Sequence, residues 1–317
     1  MSTKEYLLNL ALGYQASQAI FTAVKIGLLE QPESFECEWF ADAKGLSKDG
    51  VARLVLFLER LGIVKSVGNG QYIVNSEVQQ ILIGERLIDF LKHQSNCWEN
   101  WTQLDAMLNH KHSRGSQAWL ANDLPRAKLF ASALHSISGA IAKRTIAELK
   151  EMWRLQPRTI LDVGGGLGSF AYACQQAWEQ SDIAIMEQGC VAEVAKDYGN
   201  IPVIEGDVRD EKIWGEKKWD LIVMSQILSP LDISDRNITL SHAKTHLSQN
   251  GAILLVDFFD DSSTLGSARF GLHMWIVSET GGTLKLNWLK QFCAENNFRL
   301  IRLCSSEEPL PILLQKK

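Results

Sequence analysis

Apolar residues recur every three or four positions through the first 150 residues, and then the rhythm changes. "EYLLNLALGYQASQAIFTAVKIGLLE", from Glu5 to Glu30, has the spacing of a long helix. "WFADAKGLSKDGVARLVLFLERLGIVKSVGNGQYIVNSE" follows soon after. It predicts a helix, a turn at Gly45, a second helix and a small hairpin around Gly68-Asn69-Gly70. Ser47 is placed to cap the helix that carries Val51, Leu54, Val55 and Leu58. Helix, helix and wing together draw a winged-helix outline. Two more apolar helices are predicted over Leu87–Met107 and Pro125–Leu149.

Beyond residue 150, short β-branched runs at 159–163, 183–187, 201–205, 220–224 and 252–257 alternate with helical segments. The C-terminal "FRLIRLCSSEEPLPILLQKK" reads as two strands with a polar turn between them. Alternating strands and helices predict an α/β sheet covered on both faces. The chain therefore divides into a helical domain over 1–150 and an α/β domain over 151–317. Ligands of such sheets lie at the carboxyl ends of the strands. Those ends carry Gly164–Gly168, Glu187, Asp207 and Ser225-Gln226.

The first of these ends is "TILDVGGGLGSFAYACQQAW", an apolar strand, a glycine run and a helix. Glycine permits a sharp turn and a close approach by a ligand. A phosphate site would exploit the free N–H groups of the following helix. The Walker pattern, however, needs a Lys-Ser/Thr pair, and Phe170-Ala171 stand near that point. A dinucleotide and an adenosine-type ligand with an amino-acid tail both stay open on spacing alone.

Composition narrows the partners. The 317 residues suffice for two domains, and 46% hydrophobic with 22% charged residues describes an ordinary globular protein. A formal net charge of -5 gives no support to a polyanion-binding surface. The winged-helix outline raises a DNA-binding regulator. But "KDGVARLVLFLERLG" spends its surface on Val51, Leu54, Val55, Leu56, Phe57, Leu58 and Leu61, and Lys48, Arg53 and Arg60 are too few to read phosphates and bases. No nucleic-acid partner is expected, and the apolar surface points to a homodimer. Cysteines 37, 97, 174, 190, 293 and 304 form no CxxC pair, which predicts free thiols in a reducing cytoplasm. His242 and His246 sit one helical turn apart without an acidic or cysteine partner, so a solvated face is expected and no metal. Neither a signal peptide nor an apolar stretch approaching the ~20 residues of a membrane span is visible. The expectation is a cytoplasmic protein with no membrane partner.

Taken together, the motifs resemble class I S-adenosylmethionine-dependent small-molecule O-methyltransferases. That family includes plant caffeate-type and hydroxyindole enzymes and bacterial natural-product enzymes. "LDVGGGLG" resembles its principal cofactor motif, and Lys25–Leu29, "RLVLFLERLGIV" and "QYIVNSEVQQIL" resemble its N-terminal domain. The resemblance implies a Rossmann-like methyltransferase domain behind a mostly helical, winged-helix-like dimerisation domain that also contributes to the acceptor pocket. It implies S-adenosyl-L-methionine as cofactor and a small-molecule acceptor as partner. Gly164, Gly165, Gly166 and Gly168 would form the floor under the methionine moiety. Asp162 would anchor this loop or receive the cofactor's ammonium through water; its plainer reading is a strand-end cap. Glu187 would accept both ribose hydroxyls, followed by Gln188 where many relatives carry leucine. Asp207 and Val208 would hold the adenine amino edge, unless Asp207 only caps a turn. Ser225 and Gln226 would lie near the sugar or tail.

One part of the family pattern is missing. Relatives carry a histidine base after the fourth strand, in text like Leu-His-Asp-Trp. This chain has "SQILSPLDISDRN", with Ser229 at the histidine's place. The glutamate that steadies that histidine also has no counterpart near Gly281-Gly282-Thr283. Serine is no ordinary base near neutral pH. Three openings follow: an acceptor that arrives ionised, another base, or a reaction other than ordinary O-methylation. His273 in "ARFGLHMWIVSE" is the first substitute, set against a packed core histidine. His135 in "FASALHSISGAIAKR" is the second, unless it faces the domain junction. The expected function is methylation of an aromatic, enolic or polyketide-like molecule, most readily on oxygen. The alternative is a cofactor-binding descendant that methylates carbon, does other chemistry or is silent.

Overall fold

The computed structural model describes residues 1–153, 156–303 and 308–317. They form two compact units, Met1–Asn96 and Cys97–Lys317. Residue 150, the boundary expected from sequence, stands near the C-terminal end of the helix Leu124–Met152, inside the second unit.

The first unit opens with α1 (Thr3–Lys25), whose start is closed by a reciprocal Ser2–Glu5 capping box. Strand β1 (Phe35–Glu36), α2 (Cys37–Lys44) and α3 (Lys48–Arg60) follow. α2 ends at Gly45 with φ 65°, and Ser47 accepts the Gly50 N–H to cap α3, as the sequence predicts. β2 (Val64–Gly68) and β3 (Gln71–Val74) form the wing, turned through Asn69 and Gly70 at positive φ. The sheet order is β1-β3-β2. Val51, Val55 and Leu58 of α3 bury with Leu28, Leu29, Phe40 and Val74 in one core. The short α4 (Ser76–Gln79) precedes α5 (Leu87–Trp101). The single helix expected over Leu87–Met107 is broken: α5 stops at Trp101, past the end of the first unit, and α6 of the second unit spans Leu104–Leu108. Thr102 sits at the break, its hydroxyl bonded back to the Glu99 carbonyl in competition with the helix ladder.

In the second unit α7 (Leu124–Met152) begins at the Asp123 cap. Then come β4 (Thr159–Val163), α8 (Ser169–Ala177), β5 (Asp182–Glu187), α9 (Gly189–Tyr198), β6 (Val203–Glu205) and β7 (Trp219–Ser225). The chain closes with α10 (Ile233–His246), β8 (Leu247–Asp257), α11 (Leu265–Val277), α12 (Leu286–Glu295), β9 (Phe298–Arg302) and β10 (Leu310–Lys316). The seven strands lie in the order β6-β5-β4-β7-β8-β10-β9. β4 pairs in parallel with both β5 and β7, and β10 inserts antiparallel between β8 and β9. The chain thus leaves β4 in opposite directions across the sheet, which opens a crevice at its carboxyl end. Two apolar clusters cover the faces, one built on Leu161, Ile222 and Leu255, the other on Ile160, Val223 and Leu254. Alternate residues of each strand face opposite layers, as a strand period of two requires.

Cys37, Cys97, Cys174, Cys190 and Cys293 form no disulfide, and Cys304 with most of the polar turn before β10 lies outside the described residues. Among the described residues no helix is long and apolar enough to cross a membrane.

Candidate active site

The carboxyl ends of β4, β5, β6 and β7 are joined by short contacts. The Gly166 N–H donates to Glu187 Oε2 at 2.9 Å, and the Gly206 N–H donates to the Glu187 carbonyl at 3.0 Å. A side chain at Gly164 would stand 2.5 Å from Ile227 Cδ1, just past β7. One at Gly165 would stand 2.7 Å from the Asp162 carboxyl carbon. Gly166 differs: its φ of 55° suits glycine, and nothing lies within 4 Å of where its Cβ would be. The loop is therefore tight underneath and open on one side.

Asp162 lies beneath this loop and is 1% exposed. Its Oδ2 accepts the Ala171 N–H at 3.0 Å, which caps α8 and ties it to β4. Its Oδ1 has no hydrogen-bond partner among the described residues. Burial pushes the carboxyl up to about 7, the Ala171 N–H pulls it down, and the Glu187 charge adds to the rise. Glu187 accepts one backbone N–H on each oxygen, from Gly166 and Gln188. Burial raises its carboxyl, against those two N–H groups. A carboxylate has roughly four acceptor positions, so two are unspent. Gln188 is exposed and precedes α9.

Asp207 follows β6 and is partly buried, with both oxygens on the Arg209 guanidinium. The Arg209 hydrogen bonds hold its carboxyl below the usual range. Val208 is buried, and its carbonyl accepts the Trp214 indole N–H at 3.0 Å. Ser225 ends β7, and Gln226 takes a φ of 54°, unusual for a residue with a side chain. Its N–H is fixed to the Val256 carbonyl at 2.9 Å. Backbone strain of this kind gathers at functional sites.

The next turn of the chain is built differently. Ser229 is fully buried, and its hydroxyl donates to Asp257 at the end of β8. Asp257 also accepts the Phe258 N–H at 2.8 Å, and burial pushes it up to about 6. Arg236 reaches in from α10 and is 8% exposed. Its Nε donates to the Leu228 carbonyl at 2.9 Å, and its Nη2 reaches the Ser229 and Gly282 carbonyls at 3.2 and 3.3 Å. The Gly282 N–H donates to the Ser229 carbonyl at 3.0 Å. Two loops are thus stapled into one closed knot.

A family model for the O-methyltransferase domain matches residues 96–286. The chain belongs to the O-methyltransferase family. Solved structures agree on the fold. An O-methyltransferase family protein from Burkholderia thailandensis is 19% identical with a TM-score of 0.85, over 100% of this chain and 98% of that one. Human N-acetylserotonin methyltransferase, solved with S-adenosylmethionine, is 18% identical with a TM-score of 0.81, over 100% and 98%. The mitomycin 7-O-methyltransferase MmcR is 18% identical with a TM-score of 0.81, over 99% and 97%. No curated protein matches the chain.

Within this O-methyltransferase fold the four histidines of interest fall in different surroundings. His273 stacks on Trp101, centroids 6.1 Å apart and planes at 20°, and its Nδ1 accepts the Trp101 indole N–H at 3.1 Å. Burial and then the Arg269 charge hold its pKa below the ordinary value. The neutral ring therefore carries its proton on Nε2, and its lone pair is already spent. His135 sits between the Ser169 hydroxyl at 2.8 Å and the Tyr198 hydroxyl at 3.1 Å, a polar link among α7, α8 and α9. The solvated face expected for His242 and His246 is corrected. His246 is buried against Trp214, its ring nitrogens 2.8 and 2.9 Å from the His242 and Gly215 carbonyls, and His242 Nε2 lies 3.2 Å from the Arg209 carbonyl.

Sequence reading passed over Asp257, Arg236, Arg209 and Trp101. Asp257 had a signal, an acid ending the apolar run "AILLVD". Arg236 had none, since one arginine in a polar helix reads as solvated.

Proposed function

We propose that this chain transfers a methyl group from S-adenosyl-L-methionine to oxygen on a small aromatic, enolic or polyketide-like molecule that arrives already ionised. The observation that carries the cofactor assignment is the buried, half-satisfied Asp162 under an open glycine loop. A carboxylate there repels a pyrophosphate and favours an ammonium group. Glu187 keeps acceptor capacity for a ribose diol, and Asp207 offers a carboxylate to an adenine amino group. These residues fit an adenosyl amino acid better than a phosphate or a dinucleotide. When bound, that cofactor supplies an electrophilic methyl on sulfur. The chain's own contribution is to bind, orient and exclude water. Glu187→Ala is expected to weaken S-adenosylhomocysteine binding by about 10–100-fold, the worth of lost charge-assisted hydrogen bonds.

The acceptor assignment rests on the knot. Ser229 is fully buried with its hydroxyl spent on Asp257, and Asp257 is itself 1% exposed and tied to Ser229 and the Phe258 N–H. His273 offers Nε2–H, a donor, so it suits an oxyanion that needs orienting. The test is transfer of labelled methyl from S-adenosylmethionine to phenols and β-diketones of graded acidity. Turnover should follow the ionised fraction of each acceptor, and His273→Gln should retain most of it. Turnover that follows a protein group whatever the acceptor would overturn this reading. Tight cofactor binding with no methyl transferred to any of them would favour the non-methylating descendant.

A homodimer is part of the proposal. Tyr6, Leu7, Leu8, Leu10, Leu12 and Tyr14 of α1 are 49–60% exposed, far more apolar surface than one soluble helix keeps without cover. Light scattering should give twice the 35.5 kDa chain mass, and a stable monomer would remove this claim.

A further inference from the structure

Asp162 and Glu187 accept backbone N–H groups, whereas Asp207 is held by a guanidinium. Arg209 Nε lies 2.9 Å from Oδ1 and 3.0 Å from Oδ2, and Nη2 lies 2.5 Å from Oδ2. The Arg209 backbone N–H adds a bond to Oδ1 at 2.9 Å. The other arm, Nη1, reaches Asp235 Oδ2 in the first turn of α10 at 3.0 Å. Residues 207–209 are tied at two further points, by Trp214 to the Val208 carbonyl and by His242 to the Arg209 carbonyl. A side chain two bonds from a loop backbone would otherwise sample several orientations. Here one is selected.

We propose that Arg209 is the positioning residue for adenine recognition. It holds Asp207 in one orientation, so that the carboxylate takes the exocyclic amino group and rejects a 6-oxo purine. The proposal rests on the cofactor reading above. The chemistry is a matter of sign. An amino group donates to a carboxylate, while a keto oxygen at the same place meets like partial charge. Arginine is needed because its planar fork spans both oxygens and still leaves an arm for Asp235; lysine offers a point charge. The charged groups around the pair are Asp235 and Asp232 from α10, Asp210 next along the chain, and His242 through the Arg209 carbonyl. Without Arg209 the burial that raises Asp207 is left unopposed by a cation.

The test is calorimetry on the full-length protein with S-adenosylhomocysteine and with S-inosylhomocysteine, at pH 7.5 and 5.5. The wild type should bind the adenosyl compound equally at both pH values and prefer it at least about 30-fold, as expected where a mismatched purine leaves a buried polar group opposed. Arg209→Gln should bind it about 10-fold more weakly at pH 7.5, lose more at pH 5.5, and keep a preference under about 5-fold. Arg209→Lys should restore the flat pH response but only part of the preference. Asp235→Ala, which removes only the outer tether, should move the preference in the same direction by less. Arg209→Gln with an unchanged preference and a flat pH response would overturn the proposal. A wild type that binds both purines equally would overturn it too, with Asp207's role. A wild type that binds neither removes the cofactor reading itself.

Discussion

Two regions at the carboxyl edge of one sheet contrast sharply. Around β4 and β5, among the described residues, Asp162 leaves an oxygen unpaired and Glu187 uses only part of its capacity. Around β7 and β8, Ser229, Asp257, Arg236 and Gly282 bond to one another. The first region holds polar capacity for something else; the second spends its capacity on itself. The family resemblance implies cofactor contacts at the first and a base at the second. Among the described residues, the first region keeps acceptor capacity open, and the second closes on itself.

The contrast breaks most visibly at Arg236. Arg236→Ala strips the Leu228, Ser229 and Gly282 carbonyls of a buried donor and leaves Asp257 without its cation. Breaking a buried charge network in this way costs about 3–5 kcal/mol. Urea denaturation should register that loss, while the folded fraction keeps its affinity for S-adenosylhomocysteine. A loss of affinity with intact stability would mean that the knot belongs to the cofactor site.

Asp162→Asn should move stability the other way. The folded-state carboxyl is raised to about 7. Between its unfolded value near 4 and that value, the folded chain binds more protons than the unfolded one, so stability falls as pH rises through this window. Asparagine cannot ionise and escapes that fall. Out of a ceiling near 4 kcal/mol, a gain of roughly 1–3 kcal/mol at pH 8 is expected, with weaker S-adenosylhomocysteine binding. Thermal melts across pH read the first, calorimetry the second. Equal stability of variant and wild type at pH 8 would show that Asp162 carries no unpaid burial.

The smallest effect belongs to Ser229→Ala. It removes one donor from Asp257, at about 1 kcal/mol, and should leave methyl transfer nearly intact. A turnover loss of 100-fold or more would reopen Ser229 as a participant.

β4, β5, β6 and β8 were legible as short apolar runs ended by glycine or an acid, and β7 as one ended by Ser225. α3 and its wing were legible through Ser47, Gly45 and Gly68-Asn69-Gly70. Three kinds of feature were not. Thr102 ends α5 through one side-chain bond inside an otherwise helical pattern. The His273 tautomer depends on Trp101, 172 positions away in the chain. The knot depends on Arg236 meeting two separate loops. Local pattern carries no record of such long-range polar bonds. The missing histidine could be read from sequence, but what replaced it could not.

The most direct test of the contrast is a calorimetric titration of the wild-type chain with S-adenosylhomocysteine, with NADH titrated in parallel. The account predicts about one S-adenosylhomocysteine site per chain and no measurable NADH binding. Tight NADH binding without S-adenosylhomocysteine binding would contradict it.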